Sequence, residues 1–145
     1  TTGNQEIDGV LNYMLQKANK TLNQVDVQIN IPEDLYFNNF NICVILGNLV
    51  DNAVREASKS KEKLLTIKMQ IKQEVLLIFI ENSYSGKILE KRNGLQTTQP
   101  ELAIHGIGLE NVKKVVIANG GEIKIDYTSN RFCVQVLLYM SRIKN

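Results

Sequence analysis

Asn48-Leu-Val-Asp-Asn52-Ala-Val-Arg55-Glu-Ala57 is the stretch whose reading decides the fold, together with the run that leads into it from about Phe40. Apolar residues fall at Ile42, Ile45, Leu46, Leu49, Ala53 and Ala57, the three-and-four spacing of a helix that lays one stripe on a core. A polar stripe runs beside it. Asn48, Asp51, Asn52 and Arg55 recur at i, i+3, i+4 and i+7, so two carboxamides, a carboxylate and a guanidinium project from one adjoining face. Carboxamides add little to helix propensity and are costly to bury without partners. The spacing alone leaves two readings open, a solvated polar face and a set of ligand groups.

Outward from this helix, the chain alternates helices and strands. Ile7, Val10, Leu11, Met14, Leu15, Ala18 and Leu22 keep a helical period, which predicts an amphipathic first helix over about Gln5 to Asn23. Val25-Asp-Val-Gln-Ile-Asn-Ile31 alternates apolar and polar residues as a half-buried strand does, and Pro32 stops it. The organising helix is predicted from about Asn38 to Ser58. The charged turn Lys59-Ser-Lys-Glu-Lys63 releases it into a strand over Leu64 to Lys72, and Gln73-Glu74 marks a reversal. Val75-Leu-Leu-Ile-Phe-Ile80 has the near-continuous apolar character of a central strand.

From Tyr84 to His105 no period survives, and Gly86, Gly94, Thr97-Thr98 and Pro100 break up the stretch. A connection of that length is usually functional or disordered in a compact domain. Leu109, Val112, Val116 and Ile117 predict the next helix, ended by Asn119-Gly120-Gly121 in the manner of a left-handed cap. Gly121 to Tyr127 and Phe132 to Leu138 read as a strand pair turning over Thr128 to Arg131. The expected architecture is a two-layer α/β sandwich, a mixed sheet of about five strands with three helices on one face.

At 145 residues and 43% apolar, one domain spanning residues 1–145 is expected. A net charge of +2, from 17 basic and 15 acidic residues, gives no case for nucleic acid or direct membrane contact. Cys43 and Cys133 lie on apolar segments without ligand spacing and read as reduced, buried thiols of a cytosolic protein. No apolar run reaches the roughly 18 residues of a membrane span. The opening Thr1-Thr2-Gly3 lacks a Met, as a domain cut from a longer chain would.

Three segments in order carry a family resemblance over essentially the whole chain. Asn48 to Ala57 resembles the N-box of the nucleotide-binding superfamily that groups DNA gyrase, heat-shock chaperones, MutL and histidine kinases. Asn82-Ser-Tyr-Ser-Gly86 stands where that superfamily has its first glycine-containing box, and His105-Gly-Ile-Gly108-Leu109 where it has the second. The HGIGL wording, and Asn82 in place of the usual aspartate, resemble the peptide-sensing, quorum-type histidine kinases in particular. The resemblance implies a Bergerat-type ATP-binding fold with the segment from Tyr84 to His105 as its lid.

The same resemblance implies a site for ATP and magnesium. Asn52 would be the magnesium ligand, its carboxamide oxygen being a hard donor that suits this ion. Arg55, permanently charged, would touch phosphate, unless it only pairs with Asp51 at i, i+4. Gly106 and Gly108 precede a helix, where backbone N–H groups and the dipole favour an anion, and Leu109 follows. Gly86 and His105 bound the lid. His105 is the only histidine, but it sits on the second box and is read as a lid or phosphate contact, not as a phosphoacceptor. Asn82 would read the base, and its carboxamide can present either an acceptor or a donor.

Asn48 departs from the superfamily's water-splitting members, which carry a glutamate there as general base. A carboxamide cannot take the proton, so hydrolysis is expected to be poor. The implied function is donation of the γ-phosphoryl of Mg-ATP to a histidine on a separate dimerisation domain, with a response regulator next in line. The implied setting is a cytoplasmic domain of a membrane-anchored receptor. Two other readings stay open: a nucleotide-gated interaction module without catalysis, and an ATPase or chaperone domain.

Overall fold

The computed structural model describes residues 5–32, 39–85 and 107–139. Helix α1 (Gln5–Thr21) begins with Glu6 and Asp8 in its first turn and has Lys20 in its last, charges that complement the helix dipole at both ends. It buries Ile7, Leu11 and Ala18. Strand β1 (Gln24–Asn30) follows, and then α2 (Asn39–Lys59), whose buried residues include every position of the apolar stripe from Ile42 to Ala57. Helix α2 packs against α1 on one flank and against α3 (Ile107–Ala118) on the other, so it is the middle of the helical layer.

The sheet under that layer has the order β1-β2-β3-β5-β4. Strand β1 pairs in parallel with β2 (Leu64–Lys72), Val27 standing opposite Ile67. The crossover between them runs through α2, as a parallel pair requires. Strand β3 (Val75–Ser83) is antiparallel to β2 and to β5 (Arg131–Tyr139), and β4 (Glu122–Tyr127) closes the far edge against β5. Leu65, Ile67 and Met69 of β2, Leu76, Ile78 and Ile80 of β3, and Phe132, Val134, Val136 and Leu138 of β5 are all buried. They alternate along their strands, so one face of the sheet carries the core while the other stays polar or half-buried.

The turns explain how the register is held. Gln73 and Glu74 both have positive φ, 52° and 67°, the backbone form whose twist matches a two-residue hairpin. Helix α3 ends in a Schellman motif: the Gly121 N–H donates to the Val116 carbonyl at 2.9 Å, the Gly120 N–H to Ile117 at 3.0 Å, and Gly120 has φ 73°. Gly121 is needed for a different reason. A Cβ there would lie 2.4 Å from the Leu137 carbonyl oxygen, so α3 and β5 approach closer than any side chain permits.

The expected sandwich is the observed one, and strand β3 runs on through Asn82 to Ser83, both buried at its end. Two expectations are corrected. Ile117, expected in the α3 core stripe, is 64% exposed, since Leu109, Val112 and Val116 already fill the face turned to α2 and the sheet. Cys43 and Cys133 are free thiols but only half-buried; burial, with Glu81 and Asp126 nearby, still pushes the Cys133 thiol up to about 11.

Candidate functional site

Among the described residues, the buried polar side chains are Asn52, Glu56, Ser60, Asn82 and Ser83. Asn52 and Glu56 are one turn apart on the same face of α2, and Ser60 continues the step of four just past its last residue, Lys59; the last two close β3. They form a polar seam where α2 crosses the end of the central strand, in a core that is otherwise apolar. A polar group costs free energy to bury unless partnered, so each member's partners reveal what the seam is for.

At its lower end the seam is fully satisfied and structural. The Ser60 and Ser83 hydroxyls lie 2.7 Å apart, Ser60 Oγ donates to the Ala57 carbonyl at 2.7 Å, and Ser83 Oγ accepts the Leu64 N–H at 2.8 Å. This cluster ties the end of α2 and the start of β2 to the end of β3. Arg131 Nη1, 2.5 Å from Glu62 Oε1, ties the same turn to β5. That hydrogen bond holds the Glu62 carboxyl below its usual range. Tyr84, next along, is buried edge-on against Phe132 with ring centroids 5.9 Å apart, and its hydroxyl donates to the Thr128 carbonyl. The root of the segment that follows β3 is therefore anchored on the β4–β5 hairpin.

Asn82 is 3% exposed, on the same strand face as Leu76, Ile78 and Ile80, as alternation predicts. Its Nδ2 donates to the Ser83 carbonyl at 2.9 Å. That bond fixes the amide, because turning it over would set the side-chain oxygen against the carbonyl. Asn82 thus presents an acceptor, and the donor form that the sequence left open is disfavoured by its own neighbour.

The upper end of the seam is not satisfied. Asn52 is 4% exposed, and its Nδ2 has no hydrogen-bond partner. Its Oδ1 accepts from Arg55 Nη1 at 3.0 Å, and Arg55 Nη2 lies 2.6 Å from Asp51 Oδ2. The i, i+4 pair that the spacing allowed is therefore present, and the guanidinium bridges Asp51 and Asn52. Asn48, one turn earlier, donates from Nδ2 to the Val44 carbonyl at 2.9 Å. Glu56, one turn later, is 5% exposed, and burial pushes its carboxyl up against the weaker opposing pull of Lys59, whose Nζ stands 3.7 Å away.

Asn48, Asn52 and Arg55 share α2, and Asn82 closes β3, the strand on which α2 packs. Gly108 lies in the first turn of α3, beside Glu110, and Leu109 is buried in the core, leaving its backbone N–H as the group that faces the helix start. Gly86, His105 and Gly106 lie outside the described residues. Sequence reasoning missed Glu56, Ser60, Ser83 and Tyr84. The first two were findable, since continuing the step of four from Asn48 and Asn52 reaches Glu56 and Ser60.

A magnesium ion fits the donor set. Among the described residues no group of three or more His, Cys, Asp or Glu side chains could cage a metal, and magnesium asks for no cage: it keeps several waters and takes one or two protein oxygens beside phosphate. Asn52 Oδ1 is a hard oxygen of the kind magnesium takes, and here it accepts from Arg55; the orphaned Nδ2 is a donor, which calls for an acceptor such as a phosphate oxygen and not for a cation.

A mixed five-stranded sheet under three helices, with polar residues buried at the middle helix, is the architecture that the family must explain. The chain belongs to the GHKL domain family, whose profile matches residues 37–139. Its fold is also that of solved histidine kinases. The Acinetobacter baumannii histidine kinase AdeS superposes with a TM-score of 0.71 at 17% identity, over 95% of this chain and 64% of that one. The mycobacterial sensor histidine kinase MprB gives 0.62 at 18% identity, over 92% and 95%. The catalytic domain of histidine kinase ThkA gives 0.67 at 17%, over 94% and 90%. At these identities the likeness is one of fold, and the chain spans about two thirds of the AdeS chain, 64%. No curated protein matches the chain by sequence.

Proposed function

We infer that this chain is the ATP-binding catalytic domain of a histidine kinase in two-component signalling, of the peptide-sensing, quorum-type group. The observation that carries the reading is Asn52: a carboxamide buried on the central helix, its oxygen held by Arg55 one turn along, in a chain that belongs to the GHKL family. When bound, Mg-ATP supplies the γ-phosphoryl group and most of the charge neutralisation. The chain's own work is positioning and electrostatics, which is most of what phosphoryl transfer needs.

In this reading Asn52 Oδ1 is the protein's magnesium ligand and Arg55 the phosphate contact. The N–H groups of Gly106, Gly108 and Leu109 receive phosphate at the glycine run that opens α3, with Gly86 and His105 contributing at the ends of the lid. Asn82 Oδ1 accepts from the exocyclic amine of adenine. Asn48 cannot deprotonate water, which leaves the phosphoryl group for an acceptor histidine on the dimerisation domain of the same kinase; a response regulator receives it next. The described residues contain no helix long and apolar enough to cross a membrane. In this reading the domain would work on the cytoplasmic side of a membrane-anchored receptor.

Calorimetry of ADP binding with and without magnesium tests the reading. The wild-type chain is expected to bind more tightly with the metal, and Asn52→Ala to lose most of that difference while its thermal transition stays cooperative. A metal dependence unchanged in Asn52→Ala would move the ligand elsewhere.

A further inference from the structure

One planar guanidinium holds both acceptors at the upper end of the seam. Arg55 Nη1 reaches the neutral Asn52 oxygen at 3.0 Å, and Nη2 reaches the Asp51 carboxylate at 2.6 Å. The second bond is the shorter and charge-assisted one. Because the fork is rigid, Asp51 determines where the other arm lies. Asn52 meanwhile keeps an unpartnered Nδ2 at 4% exposure, so the arrangement leaves a buried amide half satisfied. The Asp51 and Arg55 side chains are each 48% exposed, open to the approach of a ligand from solvent.

We propose that Asp51 is a positioning residue of the nucleotide site: it parks Arg55 on the Asn52 oxygen, so that metal capture by that oxygen and release of Arg55 to phosphate form a single exchange. The proposal rests on the magnesium and phosphate roles given above to Asn52 and Arg55. A magnesium ion sits about 2.1 Å from its oxygen ligands. A dication and a guanidinium on one carboxamide oxygen repel strongly at that range. Turning the amide over does not help, since it would set Nδ2 against the Arg55 donors. Arg55 therefore leaves as the metal arrives, and a phosphate oxygen offers the acceptor that replaces Asn52. Asp51 opposes this step because it competes with phosphate for the same cation. The residue thereby lowers nucleotide affinity, and it does so only through Arg55.

A double-variant cycle on the whole 145-residue chain reads this directly. ADP binding in the presence of magnesium is measured by calorimetry for wild type, Asp51→Asn, Arg55→Met and the double variant. Releasing a half-exposed pair is expected to tighten binding by about twofold to fivefold in Asp51→Asn. In the Arg55→Met background the same substitution is expected to change nothing. An equal gain in both backgrounds would overturn the exchange, because removing a negative charge near an anion does that without any role for Arg55. No gain in Asp51→Asn, with wild type binding normally, overturns the exchange alone. Wild type that binds no ADP with magnesium overturns the nucleotide site and the exchange together.

Discussion

Ser83 shows what a single buried hydroxyl does here. It meets the Ser60 hydroxyl at 2.7 Å and accepts the Leu64 N–H at 2.8 Å, so Ser83→Ala removes a partner from both. Leaving buried groups unsatisfied costs about 1 to 3 kcal/mol, and urea denaturation is expected to show a loss of that size. Glu56 makes a pH-dependent contribution. Burial holds its carboxyl above the ordinary value of 4.5, so ionisation costs the folded state more than the unfolded one. Stability from this group is whole below pH 4.5 and is lost as the pH rises through the folded value. Glu56→Gln cannot ionise and is expected to gain on wild type between about pH 4 and pH 8. Comparing the two proteins at each pH cancels the opposite trend from Glu62, whose carboxyl is held low. At Asn48, substitution by glutamate restores a proton acceptor. Steady-state ATP hydrolysis by Asn48→Glu is expected to exceed the wild-type rate, and an unchanged rate would mean that no water is placed for attack.

Among the elements, the join between α3 and β5 separates two kinds of glycine requirement. Gly120 has φ 73° with open space around it, whereas a Cβ on Gly121 would meet a backbone oxygen at 2.4 Å. The first substitution strains only its own backbone, at about 1 kcal/mol. The second forces helix and strand apart. Gly121→Ala is therefore expected to lower the thermal midpoint more than Gly120→Ala, and the reverse order would show that the close approach relaxes freely. These elements were largely legible in the sequence, because helical and alternating periods report which face is buried. Strand β2 and the Gln73-Glu74 reversal fall where the pattern put them. Alternation puts Asn82 at the end of β3, but the bonds that satisfy Asn82 and Ser83 come from Ser60, Leu64 and the backbone, which no local period encodes. Ile117 misled for a related cause: an apolar residue in the last turn fits a helical stripe whether or not anything lies beneath it. Of the site, Asn52 and Arg55 stood out by spacing. The bridge that joins them to Asp51 is a matter of side-chain geometry, and spacing could not choose it over a phosphate contact.

At the scale of the whole molecule, the proposed reading asks for a phosphoacceptor from another domain, because the one histidine, His105, adjoins the Gly106-Ile-Gly108 run. Incubated alone with labelled ATP, the chain is expected to gain no acid-labile label; with the helical dimerisation domain of its kinase added in trans, that domain is expected to become labelled on histidine. Label on the isolated chain at His105 would contradict the assignment, and failure of transfer despite nucleotide binding would favour a nucleotide-gated interaction module.

The strand order has a consequence for how the domain opens. Strand β3 is flanked on both sides by antiparallel partners, while β1 is held to the sheet only by β2, in parallel and across a crossover that includes α2. Local opening free energies follow such differences in pairing and burial. Amide hydrogen exchange should therefore be slowest along β3 and β5 and faster along β1, with Asn82 seated at the end of the slow core. Fluctuations that detach β1 then leave Asn82 in place, and a destabilised variant would lose its sheet edge well before it loses the end of β3.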